Sequence, residues 1–228
     1  MPHLTVILPC YNEARTVPEI VRRIRATALA HEIIAIDDGS TDASAAALDH
    51  VARAPGAPLR LLRHACNRGK GAAIRTGLAV ATGDLVLVQD ADLEYDPTAY
   101  AALLAPFADP AVQAVYGSRN LHPNPRSTQA FYWGGRFLSW LANALYGSHL
   151  TDISTGYKAF RADTLRALPL AADGFEFCEE VTALLLRRGV RIHEIPISYV
   201  PRTRAEGKKI RARDGLIAIA TLLRLRWR

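Results

Sequence analysis

Long apolar runs are missing from this 228-residue chain. No stretch approaches the ~20 residues that a membrane-crossing helix needs, so no span is expected. The first residues enter Leu4-Thr5-Val6-Ile7-Leu8 without the basic flank and apolar core of a secretory signal, and none is expected. Cysteine is scarce. Cys10, Cys66 and Cys178 are odd in number, far apart and without C-x-x-C spacing, which argues against a disulfide framework or a zinc site and fits a reducing compartment. Two glycine signatures are absent as well: neither G-x-x-x-x-G-K-[ST] nor G-x-G-x-x-G occurs, so the chain carries no Walker A loop and no dinucleotide fingerprint. There is no internal repeat, low-complexity tract or linker.

Half of the residues are hydrophobic, enough for the core of one compact domain. The net charge is +6, and from position 202 onward nine Lys/Arg face only Glu206 and Asp214, so the rest of the chain is close to neutral. A basic end of this kind suits an anionic partner, either phosphates in a site or an acidic membrane surface, or serves only for solubility.

Short β-branched runs at 4–8, 32–36, 59–62, 85–89 and 112–116 read as buried strands, and they alternate with helix-like stretches. Val17, Ile20, Val21 and Ile24 share one helical face, and Thr16 with Glu19 forms a T-x-x-E capping box around Pro18. Further helices are expected over 43–53 and 71–81, and from Pro97 behind an Asp96 cap. This is the βαβ pattern of an α/β fold with a mostly parallel central sheet flanked by helices. The second half is less regular. It holds a polar loop over 117–129, helices over 131–146 and 176–188, a strand over 190–197 and a closing helix over 209–228.

In such sheets ligands bind where the parallel strands end. Three segments should therefore meet on one edge: Pro9 to Glu13, Asp37-Asp38-Gly39-Ser40, and Asp90-Ala91-Asp92. Asp90, Asp92 and Glu94 stand two residues apart, and carboxylates packed so closely repel unless a hard cation with oxygen ligands joins them. Mg²⁺ or Mn²⁺ bridging to phosphates is one reading, and an acidic turn the other. Asn67-Arg68-Gly69-Lys70-Gly71 opens a helix whose free backbone N–H groups would suit phosphate.

Taken in order, Pro9-Cys10-Tyr11-Asn12-Glu13, Asp37-Asp38-Gly39-Ser40, Gly69-Lys70-Gly71, Gly83-Asp84, Asp90-Ala91-Asp92, Gly117-Ser118-Arg119 and Arg202 with Lys208 resemble family 2 glycosyltransferases. Within them the dolichol- or polyprenyl-phosphate mannosyltransferase branch is most similar. The resemblance implies a Rossmann-like GT-A catalytic domain over 1–210, followed by a basic amphipathic helix over 211–228. It also implies an inverting transfer from a GDP- or UDP-hexose with Mg²⁺ or Mn²⁺. Pro9, Tyr11, Glu13, Ile36 and Asp38 would then lie at base and ribose. Lys70, Asp90 and Ala91 would line the donor site, and Asp92, with Asp90 and Glu94, would hold metal. Arg119, Arg202 and Lys208 would clamp the phosphates, and Arg136 matches the arginine placed near an acceptor phosphate.

Where the branch often has Gln, this chain has Glu94, which adds negative charge beside the donor. Anchored members carry membrane helices after the catalytic domain, and none lies within these residues. A lipid phosphate acceptor is already ionised, whereas a hydroxyl acceptor needs a base, for which Asp152 and Glu180 match acids of the family pattern. Each has an ordinary alternative: a turn or helix cap for Asp152, a solvated helix face for Glu180. Three readings stay open: transfer to a polyprenyl phosphate at the cytoplasmic membrane face, transfer to a saccharide or other soluble hydroxyl, and nucleotide-sugar binding without catalysis. None involves nucleic acid.

Overall fold

The computed structural model describes residues 2–126, 128–202 and 209–227. Its centre is a seven-stranded sheet in the order β3-β2-β1-β4-β6-β5-β7. The strands are β1 (Leu4–Cys10), β2 (Ala30–Asp37), β3 (Leu59–Arg63), β4 (Leu85–Val88), β5 (Ala114–Ser118), β6 (Lys158–Arg161) and β7 (Ile192–Pro196). Only β6 runs against its neighbours, so β1, β2, β4, β5 and β7 deliver their carboxyl ends to one edge. The expected strands are all present. β3, however, is an edge strand with exposed Arg60 and Arg63 and only partly buried leucines rather than a buried one.

Alternation along β1 divides the core. Val6 and Leu8 face a cluster built with α1 (Val17–Ala26), α2 (Ser44–Arg53) and α4 (Tyr100–Leu104). Ile7 faces the other cluster, with α3 (Lys70–Leu78), α5 (Gln129–Tyr146), α7 (Phe177–Arg187) and α8 (Ala212–Arg226). A short α6 (Ala162–Arg166) follows β6. Both sheet faces are thus covered, which is why the central strands read as unbroken apolar runs.

The α1 capping box does not form. Thr16 donates instead to the Glu13 carboxylate at 2.9 Å, and Glu19 is taken by Arg22 and Arg23 at 2.7 Å each. Asp96 does cap as expected, accepting from the Thr98 N–H at 2.9 Å. α8 buries Ala218, Leu222 and Leu225 in the same core as α5 and α7, and the Tyr146 hydroxyl of α5 donates to the Leu222 carbonyl at 2.7 Å. The closing helix is therefore packed on its inner face, while Leu216 and Ile217 stay exposed on its outer one and Trp227 just past its end.

Gly39 turns the chain out of β2 at φ +67°, and a Cβ there would lie 2.4 Å from the Cys66 carbonyl carbon. Both the backbone and the space require glycine. Gly39→Ala is expected to cost at least about 2 kcal/mol, lowering Tm by roughly 4–8 °C in calorimetry. An unchanged Tm would show that this turn tolerates a side chain.

Candidate active site

Behind β4, Gln89 is fully buried and accepts from the hydroxyls of Tyr100 (2.9 Å) and Tyr157 (2.7 Å). This buried polar floor fixes the strand end from which Asp90, Asp92 and Glu94 rise. Gly156 closes over them: a Cβ there would sit 2.3 Å from an Asp90 carboxylate oxygen, so a side chain at this position would push that acid aside.

Each acid meets a cation of this chain. Asp90 pairs with Lys70 at 2.5 Å. Asp92 accepts from Arg202 at 2.8 Å, and the same guanidinium grips Glu13 through two nitrogens at 3.0 Å each. Lys209 adds a 2.6 Å contact to Glu13 and also donates to the Tyr11 carbonyl. Glu94 accepts from the Arg202 backbone N–H at 2.6 Å and from the Tyr199 hydroxyl at 3.0 Å. Burial alone would raise the Glu13 pKa, but the hydrogen bonds and charges of Arg202 and Lys209 outweigh it and hold that carboxyl below its ordinary range. Burial would likewise push the Lys70 ammonium down, and Asp90 above all reverses this, so its pKa is raised.

Asp92 behaves in the opposite way. Desolvation first, then the charges of Asp90 and Glu94, lift it to about 7 against the pull of Arg202. Among the described residues four acids converge here on three cations, Lys70, Arg202 and Lys209. Among the described residues no three His, Cys, Asp or Glu form a ready metal cage. A small hard cation does not need one, because it binds through one or two carboxylates and completes its shell with phosphate oxygens and water. The donor set at Asp92 and Asp90 fits such a cation arriving with a diphosphate.

The other predicted residues fall into place unevenly. Tyr11 and Glu13 stand at the end of β1 beside the acids, and Asp38 is buried at the end of β2. Asp38 is heavily committed: it accepts from the Arg68 and Gly69 N–H groups at 2.9 and 2.8 Å and meets His64 Nδ1 at 2.6 Å. The N–H groups read as a phosphate cradle are thus satisfied by Asp38, and those of Gly71 and Ala72 by the Gly174 and Asp173 carbonyls. The glycines of this turn serve close packing, since a Cβ on Gly71 would lie 2.3 Å from the Ala172 oxygen. The side chain of Ile36 belongs to the core, Ala91 is buried, and Pro9 is only partly exposed. Lys208 lies outside the described residues.

A second region opens beyond β5. Arg119 is locked to Asp152 by two 2.7 Å bonds from its guanidinium and one of 3.0 Å from its backbone N–H. It stacks 5.1 Å from the Tyr199 ring. Glu194 of β7 underpins the pair, accepting from the Thr151 and Asp152 N–H groups at 2.7 and 2.9 Å. Burial would raise the Asp152 pKa, yet the Arg119 charge and hydrogen bonds prevail and lower it. A cavity of about 400 Å³ lies against this pair, lined by Arg126, Arg136 and His122 together with Leu121, Phe131 and Tyr132. Glu180 is elsewhere. It is buried, accepts from the Ala171 and Ala172 N–H groups at 2.9–3.1 Å, and anchors that loop instead of facing solvent.

The family model for glycosyl transferase family 2 matches residues 5–168, and with them β1 through β6 and the whole acidic edge. The chain belongs to glycosyl transferase family 2. It is 32% identical over 97% of its length to an undecaprenyl-phosphate mannosyltransferase of Micrococcus luteus, of which it spans 92%. It is 31% identical over 86% of its length to a polyprenol monophosphomannose synthase of Mycolicibacterium smegmatis, of which it spans 77%. Among solved structures, glucosyl-3-phosphoglycerate synthase of Mycobacterium tuberculosis, in complex with Mn²⁺, UDP-glucose and phosphoglyceric acid, superposes with a TM-score of 0.78. That likeness covers 99% of this chain and 80% of the other at 22% identity, and it establishes the GT-A fold. As a family 2 member the chain is a nucleotide-sugar glycosyltransferase.

Several residues that complete this family 2 site had no sequence signal. Glu194 is one acid in a strand, and Tyr199 one aromatic after it. Asn124 ties the cavity loop to that strand end, donating to the Arg119 and Ile197 carbonyls at 2.8 and 2.9 Å. Lys209 counted only as charge. What could have pointed to Glu194 is its place between Ile192 and Ile195 in a strand, where an acid needs partners.

Proposed function

We propose that this enzyme transfers a hexose, mannose foremost, from a GDP- or UDP-sugar to a polyprenyl phosphate, with inversion, at the cytoplasmic face of the membrane. One observation carries the choice of acceptor. Asp152 is the sole acid among the described residues lining the cavity beyond β5, and both its oxygens are held by Arg119 with its pKa lowered. A hydroxyl acceptor would find no free carboxylate base among the described residues there, whereas an ionised phosphate needs none and would meet Arg126 and Arg136. The names of the Micrococcus luteus and Mycolicibacterium smegmatis relatives agree with such an acceptor and with mannose.

On the donor side, Asp92 with Asp90 beside it would hold Mg²⁺ or Mn²⁺ against the diphosphate. Such an ion supplies charge neutralisation to the leaving nucleotide. Glu94 has a different part in this reading from direct metal binding: its carboxylate fixes the Arg202 backbone and the Tyr199 hydroxyl. Arg202 and Lys70, now paired with the acids, would turn to the diphosphate oxygens, and the family resemblance would add Lys208 to them. Tyr11, Glu13 and Asp38 remain the residues for base and ribose.

The test is nucleotide release from GDP-mannose, UDP-glucose and related donors in Mg²⁺ or Mn²⁺, with and without a short-chain polyprenyl phosphate. At least a tenfold stimulation by the polyprenyl phosphate, abolished by EDTA, is expected. Stimulation by a saccharide alcohol with none by the lipid phosphate would overturn the acceptor. Donor binding without release under any condition would point to a binding protein.

A further inference from the structure

α5 places Trp133, Phe137 and Trp140 on one stripe, 62%, 47% and 62% exposed, while Leu138, Ser139 and Ala142 on the opposite side are buried. Large aromatics left in water at positions i, i+4 and i+7 form a continuous apolar face of a kind that soluble surfaces avoid. The neighbouring α8 repeats the pattern. Its inner face packs into the core that α5 also covers, and its outer face exposes Leu216 (71%) and Ile217 between Arg213 and Arg224, with Trp227 (74%) exposed just past its end. Since both helices bury their inner sides in one core cluster, both outer faces turn away from the sheet on the same side of the molecule.

We propose that these two faces, with α5 leading, form a surface that docks into the headgroup region of an anionic bilayer. The idea rests on the reading of a lipid-phosphate acceptor given above. It assigns the docking chiefly to aromatics of α5, where the sequence suggested the basic tail alone. Charge complementarity selects the bilayer. α5 contains no acidic residue and carries Arg136 beside the stripe, exposed Arg126 precedes it, and α8 adds exposed Arg211, Arg213 and Arg224. Tryptophan at the headgroup level flanked by arginine is the composition of an interfacial helix. A second copy of this chain fits less well, because a two-fold contact through the same face would bring like charges together. Continuity with the cavity supports the same orientation: Phe131, Tyr132, Gly135 and Arg136 of α5 line it, so its mouth adjoins the surface that would meet lipid.

The experiment uses the full chain with vesicles of phosphatidylcholine containing about 30% phosphatidylglycerol, and with phosphatidylcholine alone. Binding is read by co-sedimentation and by the shift of tryptophan emission. Wild type is expected to partition to the anionic vesicles with a blue shift. The double variant Trp133→Ser/Trp140→Ser is expected to lose at least about tenfold in partition, and Leu216→Ser/Ile217→Ser a smaller factor. Both pairs are exposed, so Tm should hold, and transfer to a water-soluble short polyprenyl phosphate should stay at the wild-type rate. Absence of wild-type partition, or unchanged partition in the tryptophan variant, would overturn the proposal. So would a dimer in sedimentation analysis that the tryptophan variant dissolves without a change in vesicle binding. Should wild type bind vesicles yet ignore every lipid phosphate, the acceptor assignment fails while the docking surface stands.

Discussion

Asp92→Asn lowers the rate of sugar transfer by about three orders of magnitude and, in metal-free buffer at pH 8, raises Tm by a few degrees. The two effects have one cause. Asp92 is only partly exposed beside Asp90 and Glu94, and the folded protein holds its pKa near 7. An unfolded aspartate titrates near 4. Between these values the native state keeps a proton that the unfolded chain has released, so stability falls as pH rises through that window. Asparagine keeps the shape and removes the misplaced charge, and Arg202 retains its two bonds to Glu13. What is lost is the carboxylate that a cation and diphosphate would use. Calorimetry with and without Mn²⁺ and nucleotide separates the roles: wild type should gain Tm on their addition, and the variant should not. A variant that loses both stability and activity would instead make Asp92 a structural partner of Arg202.

The fold was legible where burial imposes a simple pattern. β1, β2 and β4 lie inside the sheet between two helical layers, and their apolar runs announce it. β6 was missed because its first residue is Lys158, a type rarely buried. The sheet accepts it because the ammonium donates to the Ile153 carbonyl at 2.7 Å and sits 3.7 Å from the Tyr116 ring centre. Neither partner is visible from local sequence. The acids of the site were legible as acids, but not their partners. A carboxylate after a strand reads the same whether it meets Lys70, as Asp90 does, or caps a distant loop, as Asp38 does. The same holds for Glu180, whose helix position gives no hint that the Ala171 and Ala172 N–H groups come to it from another segment. Order along the chain recovered the family, and packing alone revealed which partner each charge meets.

Asp152→Asn decides between a base and a brace. A general base must exchange a proton near the working pH, and Asp152 is held in the opposite direction by Arg119. With its folded pKa below the unfolded value, the stability of this pair is complete above about pH 4 and is lost only as the pH falls below that. Across pH 5–9 it therefore stays ionised and gives no limb in a rate profile. Removing its charge leaves the Arg119 guanidinium facing an amide in a site where Asp152 is almost wholly buried. Breaking a buried pair on one side costs about 3 kcal/mol, which in a chain of this size is roughly 6–12 °C of Tm. Arg119 should then leave the cavity wall, raising the acceptor KM about tenfold or more and leaving donor affinity near wild type. Asp152→Glu should not rescue it, because the Glu194 clamp on the Thr151 and Asp152 N–H groups leaves no room to shift the backbone for a longer side chain. The opposite pattern, an intact Tm and acceptor KM with kcat down a thousandfold and an acidic limb lost from the pH profile, would make Asp152 the base and a hydroxyl the acceptor.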